Sequence, residues 1–244
     1  MSRYFVETPI IGDAARLEGA EAHHAANVMR VRAGDAVTLF DGSGAEFLAR
    51  VVKVGRSEIQ LTVETRTEVD RELRRDVALC CALPRGDRQR WLIEKVVELG
   101  VRTFIPLRTK RGVVQPDAGV CERLRRTVIE ASKQCGRNRL MQIGDPADVA
   151  TAARSIDPAT LRLLASPTAP FALGSAEFQT AAAATPGGLA GPLAAMIGPE
   201  GGLTDDEEST AVAAGWQAVS LGARILRIET AAALVCAWGT LETD

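Results

Sequence analysis

Leu193-Ala194-Ala195-Met196-Ile197-Gly198-Pro199-Glu200-Gly201-Gly202-Leu203-Thr204-Asp205-Asp206-Glu207 reads as a short apolar run, a glycine loop and the opening of a helix. An apolar run without alternation marks a strand buried on both faces, as in a parallel sheet covered by helices. Thr204 and Glu207 have the spacing of a capping box, so a helix starts directly after Thr204. Glycine loops between strand and helix often hold phosphate, through free N–H groups and an unoccupied positive helix end. This one offers neither. Pro199 has no N–H, no Lys-Ser/Thr pair follows, and Asp205, Asp206 and Glu207 fill the first turn, where they would repel a triphosphate.

Outward from that loop the same alternation of buried strand and amphipathic helix recurs. Val77–Leu83, Val101–Leu107, Leu161–Ala165 and Ala218–Leu221 are further candidate strands. Between them, Gln89–Leu99 carries Leu92, Val96 and Leu99 on one face and stops at Gly100. Asp117–Gln134 carries Val120, Leu124, Val128 and Ala131, with Asp117 as its cap and Gly136 as its end. A second loop, Leu221-Gly222-Ala223-Arg224-Ile225-Leu226-Arg227-Ile228-Glu229-Thr230, follows the last strand and leads into the apolar helix Ala231–Trp238, with Thr230 as the expected cap. Arg224 and Glu229 are expected to pair with each other or with caps. Both loops leave carboxyl ends of strands, the rim where open α/β sheets bind ligands. Loops of this chemistry permit a nucleoside with a cationic centre and no phosphate, a description that S-adenosylmethionine meets. The Ala-, Gly- and Pro-rich stretch Ala181–Pro192 is expected to be a flexible loop.

The N-terminal part differs. Val37–Phe40, the turn Asp41-Gly42-Ser43-Gly44, Glu46–Val54 and the alternating Ile59–Glu64 are short strands and turns, which suggest a small β-barrel. The charged stretch Glu68–Asp76 is too polar for a core element and marks the boundary, giving domains of 1–72 and 73–244. The net charge of −2 hides an asymmetry: residues 85–139 carry 14 basic and 6 acidic side chains, whereas residues 140–244 carry 4 and 12. So large a one-sign excess is the footprint of a phosphate-bearing partner such as nucleic acid. Five cysteines without a Cys-x-x-Cys pair exclude a zinc site of the usual spacing and read as buried thiols, so no metal is expected. Trp91, Trp216 and Trp238 lie among apolar neighbours and are expected in the core. No apolar run reaches membrane-span length and residues 1–7 lack a secretion signal, so a cytoplasmic, membrane-free protein is expected.

Along its length the sequence resembles the 16S ribosomal RNA uridine-N3 methyltransferase family, a branch of the SPOUT methyltransferases. The resemblance is carried by Arg3-Tyr4-Phe5-Val6, the His24–Arg32 segment ending near Gly34-Asp35, and Leu39-Phe40-Asp41-Gly42-Ser43-Gly44. It continues in Gly86-Asp87-Arg88, Glu94-Lys95-Val96-Val97-Glu98-Leu99-Gly100-Val101, Ser132-Lys133-Gln134-Cys135-Gly136-Arg137 and the two loops above. One position departs: Lys133 stands where family members commonly have an acidic residue. The resemblance implies an α/β fold: a SPOUT-type open parallel sheet with a C-terminal trefoil knot, preceded by a PUA-like RNA-binding β-barrel. It also implies a homodimer whose site the second subunit completes.

From the resemblance, S-adenosylmethionine would lie against Ser166, Ile197, Gly198, Glu200, Gly201, Gly202, Leu221, Gly222, Ile225, Leu226, Arg227 and Thr230. Arg3, Arg30, Arg32, Arg85, Arg88, Lys133 and Arg137 would contact 16S rRNA within the 30S subunit. Methylating N3 of uridine requires the loss of its proton. An arginine near O2 or O4 would stabilise the resulting anion, and Arg227 is the leading candidate. Glu200 and Glu229 are the carboxylates near enough to act as base, although either can instead hold the loop by accepting backbone N–H bonds. His23 and His24 belong to the other domain and are assigned capping or packing. Two other readings fit the same residues: a SPOUT enzyme acting elsewhere, for example on a tRNA ribose hydroxyl, and a non-catalytic RNA-binding assembly factor.

Overall fold

The structure, a computed structural model, describes residues 2–186 and 188–241. It comprises two units, one of Met1–Glu72 with Ser132–Leu140 and one of Leu73–Ala131 with Met141–Asp244. The strip Ser132–Leu140 belongs with the first unit although nearly sixty residues of the second precede it.

The first unit is a curled five-stranded sheet, a half-barrel, in the order β1-β3-β4-β5-β2. Its strands are β1 (Arg3–Phe5), β2 (Ala14–Glu18), β3 (Ala36–Phe40), β4 (Ala45–Val54) and β5 (Glu58–Glu68), with β1 parallel to β3 and the other neighbours antiparallel. Alternation decides the inward face. On β4, Ala45, Phe47, Ala49 and Val51 are buried, and they meet Val37 and Leu39 of β3 and Ile59 and Leu61 of β5 in one cluster. β5 continues to Glu68, farther into the charged stretch than the alternation of Ile59–Glu64 alone indicates, because Ala45–Leu48 of β4 pairs with Thr65–Glu68. After β2 come α1 (Gly19–His23) and a π-turn over His24–Val28, closed by Arg30 at φ 54.

In the first unit the strip is tied down by charge. Arg137 is buried at 4% exposure and donates from Nε to Glu72 Oε1 at 3.0 Å, with a second bond from Nη2 to Oε2. Arg3 donates to Glu46 Oε1 at 2.7 Å, to the Gly136 carbonyl at 3.2 Å and to Asn138, and its guanidinium lies over the Phe40 ring. Lys133 donates to Glu21 at 2.7 Å. Arg71 bonds both Glu46 and the Gly136 carbonyl.

The second unit is a parallel sheet in the order β12-β10-β11-β6-β7-β8, with β9 pairing β7. Its strands are β6 (Val77–Cys81), β7 (Thr103–Arg108), β8 (Gln142–Ile143), β9 (Ala147–Asp148), β10 (Leu161–Ala165), β11 (Leu193–Ile197) and β12 (Gln217–Val219). The helices are α2 (Arg88–Glu98), α3 (Ala118–Cys135), α4 (Val149–Ser155), α5 (Ala176–Ala183), α6 (Asp205–Ala213) and α7 (Ile228–Leu241). All five residues of β11 are buried, as a strand covered on both faces requires. Asp117 accepts from the Val120 amide at 2.7 Å, and Gly100 and Gly136 sit at φ 80 and φ 83.

Three expectations change. The stretch expected to be a flexible loop from Ala181 begins instead as the last turn of α5, which Ser175 caps and whose Phe178 and Ala182 are buried. α7 starts at Ile228, three residues earlier than read from its apolar run, because the Ala231 amide already bonds the Arg227 carbonyl. Of the tryptophans only Trp216 is fully buried; Trp91 stands 43% exposed, one position off the inward stripe of Leu92, Ile93, Val96 and Val97.

Candidate active site

Both glycine-bearing loops of the second unit leave carboxyl ends of the two parallel strands that flank β10, Gly198–Gly202 from β11 and Ser220–Arg227 from β12. The chain after β10 contributes between them. Together they wall a cavity of about 640 Å³, counting the space that opens to solvent. Ser166 and Pro167 form one side, Ile197 to Glu200 with Gly202 and Leu203 the second, and Leu221, Gly222, Arg224, Ile225 and Leu226 the third. Ile228 and Ala231 of α7 and Glu208 of α6 complete it.

Local chemistry holds each wall. Thr204 accepts from the Glu207 amide while Glu207 Oε2 accepts from the Thr204 amide at 2.8 Å, the capping box read from the sequence. Glu207 Oε1 also accepts from the Lys110 amide, and Lys110 Nζ pairs with Asp206 at 3.1 Å. Arg111 donates to the carbonyls of Gly201 and Leu203 at 2.9 and 3.0 Å, so the chain after β7 braces the glycine loop. Gly202 (φ 70) and Gly222 (φ 109) adopt backbone conformations that L side chains rarely take. The Ser166 hydroxyl, nearly buried, lies 3.1 Å from the Thr168 hydroxyl and 3.4 Å from Glu208.

Of the residues assigned to the cofactor from sequence, Ser166, Ile197, Gly198, Glu200, Gly202, Leu221, Gly222, Ile225 and Leu226 line this cavity. Gly201, Arg227 and Thr230 are not among its walls and are exposed. Gly201 abuts Arg111, and Thr230 sits in the first turn of α7 rather than capping it. Ala165, Pro167, Pro199, Leu203, Glu208, Arg224, Ile228 and Ala231 also line it and were missed, although Pro199, Arg224 and Ile228 stood inside the two motifs. Glu208 had no such signal, because its approach to Ser166 depends on how α6 and β10 pack.

Arg224 does not pair with Glu229. Glu229 is buried and faces Arg88, whose Nη1 lies 3.6 Å from its Oε1, while Arg88 Nη2 lies 3.1 Å from Glu200 Oε1. Arg88, read as an RNA contact, is therefore engaged by two carboxylates at the cavity rim. In the first unit Arg3, Lys133 and Arg137 are likewise engaged internally and largely buried. Arg30 and Arg32 there, and Arg85 in the second unit, are exposed. His24 packs edge-on against Tyr4, the packing role expected of it.

Burial pushes the thiols of Cys80 and Cys236 up to about 12 and that of Cys81 well above its ordinary value, so all three are inert neutral groups at neutral pH. No cluster of three or more His, Cys, Asp or Glu suited to a metal occurs among the described residues, and no described helix is long and apolar enough to cross a membrane.

The parallel α/β unit with its cavity at the strand ends and the curled β unit match, in turn, the two domains of an RNA methyltransferase with a PUA domain. The RNA methyltransferase domain family matches residues 71–239 and the RNA methyltransferase PUA domain family residues 17–64. The ribosomal RNA small subunit methyltransferase E of a Synechocystis species is 34% identical over 91% of this chain and 71% of its own length. The crystal structure of the enzyme of that name from Neisseria gonorrhoeae, bound to S-adenosylmethionine, is 31% identical. It superposes with a TM-score of 0.85 over 97% of this chain and 95% of that one. A putative methyltransferase from Legionella pneumophila, in complex with S-adenosylmethionine, is 27% identical with a TM-score of 0.87 over 98% and 96%. The chain belongs to the ribosomal RNA small subunit methyltransferase E family.

Proposed function

We propose that the protein methylates N3 of a uridine in 16S rRNA, using S-adenosylmethionine held in the cavity between the β11 and β12 loops. The observation that carries this is the composition of that cavity. Its walls are glycine backbone and aliphatic side chains, with two carboxylates, Glu200 and Glu208, to one cation, Arg224, and a proline interrupts the amides that a phosphate would need. A flat nucleoside suits the apolar walls, and a cationic sulfur suits acidic surroundings. Family membership and the names of the relatives support the same substrate class.

When bound, S-adenosylmethionine supplies an electrophilic methyl on a positively charged sulfur. The protein's part is to orient the uridine ring nitrogen toward that methyl and to favour the ring's deprotonated form. Arg224 at the cavity wall and exposed Arg227 beside it are fixed cations for the developing negative charge on O2 or O4. Glu200 is the carboxylate lining the cavity that can take the N3 proton, directly or through water.

Residues 1–72 serve in this reading as the PUA-like RNA-binding unit and 73–244 as the methyltransferase unit. The chain after β10 bonds that after β12, Ser220 N to Phe171 O at 2.7 Å and Leu173 N to Ser220 O at 2.8 Å. This supports the threading of a trefoil knot at the site. Exposed apolar Trp91, Ile225, Leu234 and Leu241 of the second unit support burial against a second copy in a homodimer. The protein works in the cytoplasm, on the 30S subunit.

Methyl transfer assayed on 30S particles, free 16S rRNA and tRNA, with the modified nucleotide mapped by mass spectrometry, tests the proposal. A 3-methyluridine on 30S particles is expected. A ribose methyl found on tRNA alone overturns it.

A further inference from the structure

We infer that Arg88 is a positioning residue that latches the glycine loop, anchored by one arm on buried Glu229 and catching Glu200 with the other. Arg88 opens α2, Glu229 is the second residue of α7, and Glu200 stands at the tip of the loop between β11 and α6. One guanidinium thus ties three elements that converge on the cavity rim.

The two arms are unequal. Glu229 is 9% exposed at its side chain, and its Oε2 is buried with no hydrogen-bond partner among the described residues. Pulling Arg88 away would strand a buried carboxylate without a counter-charge, a costly state. Glu200 is 42% exposed, so its carboxylate can leave Arg88 for water at little cost. The Glu229 arm is therefore the anchor and the Glu200 arm the catch. Arg111 already fixes the far flank of the loop through Gly201 and Leu203, which leaves Pro199 and Glu200 as the part that the latch controls. Both residues line the cavity, so opening the catch loosens that wall and speeds ligand loss.

This inference rests on the S-adenosylmethionine reading of the cavity. The test measures the Kd of S-adenosylmethionine by calorimetry and its dissociation rate by stopped flow on the full chain. Variants are Glu200→Gln, Arg88→Gln/Glu229→Gln, the triple combination of these, and Arg88→Lys. Arg88→Gln alone is avoided because it leaves Glu229 unpaired and threatens folding, whereas the double change removes both charges.

Glu200→Gln and the double variant should each weaken binding about fivefold through faster dissociation. The triple variant should be no weaker than the double, because Glu200 acts through Arg88. Arg88→Lys should recover most of the affinity, and in turnover the Arg88→Gln/Glu229→Gln variant, which keeps Glu200, should show a raised KM for S-adenosylmethionine while kcat holds. Wild-type affinity in Glu200→Gln, or losses that multiply to about 25-fold in the triple variant, would refute the latch. A wild-type protein that binds no S-adenosylmethionine would instead sink the reading beneath it.

Discussion

Replacing Arg137 by Met decides whether the Ser132–Leu140 strip is a clasp of the first unit or a surface that touches RNA. The guanidinium is 4% exposed and makes two bonds to Glu72, whose side chain keeps 21% of its exposure. Breaking a fully buried pair costs about 3–5 kcal/mol, and partial rehydration of Glu72 trims that to about 2–3 kcal/mol. For a chain of this size the loss corresponds to a fall of about 5–10 °C in Tm. Arg137→Met/Glu72→Leu removes both charges and should recover most of the loss. Urea unfolding followed by far-UV circular dichroism and by tryptophan fluorescence separates the units, since Trp91, Trp216 and Trp238 lie in the second and Tyr4 in the first. The dichroism transition should move more than the fluorescence one. Unchanged stability, with weaker rRNA binding and a salt dependence reduced by about one charge, would refute the clasp and make Arg137 a phosphate contact.

Three further outcomes are expected. Burial alone would raise the Glu46 carboxyl, but hydrogen bonds from Arg71 and Arg3 and their charges outweigh it and hold its pKa below the ordinary value. A depressed carboxylate contributes stability that is complete above its unfolded pKa and is lost as pH falls through the folded one. Wild type should therefore lose more urea stability than Glu46→Gln between about pH 5 and pH 3, and parallel profiles would contradict this. Gly202→Ala meets no atom within 4 Å but must hold φ 70, so unfolding should report a loss of about 1 kcal/mol from backbone strain alone; an unchanged midpoint argues against it. Partly exposed Cys135 should react with a disulfide reagent in the native protein while Cys80, Cys81 and Cys236 stay silent until unfolding, and early labelling of Cys81 would show that β6 is not closed.

What could be read along the chain is what neighbouring residues decide. β11 falls where an unbroken apolar run puts it, β10 where a run broken only by Arg162 does, and Thr204 and Glu207 announce the start of α6, because burial period and capping are local. Both cavity loops were legible for the same reason. Arg88, Glu200 and Glu229 were each visible, yet their meeting depends on the sheet order that sets β6 beside β11. Lys133 and Arg137 looked like a basic surface because a sequence gives the charge of a side chain and not its partner. Glu21 and Glu72, their partners, lie 112 and 65 residues away. The start of α7 was misplaced because Ile228 and Glu229 are buried by tertiary packing, which no cap residue advertises.

The return of Ser132–Leu140 to the first unit bears on the order in which the protein can be made. As the chain leaves the ribosome, the half-barrel strands emerge first with Arg3, Glu21 and Glu72 lacking Asn138, Lys133 and Arg137. Those partners arrive only after β6, α2, β7 and most of α3 have been synthesised. The N-terminal unit is first to appear and cannot be first to finish, so its consolidation is tied in time to the half-built sheet that follows it.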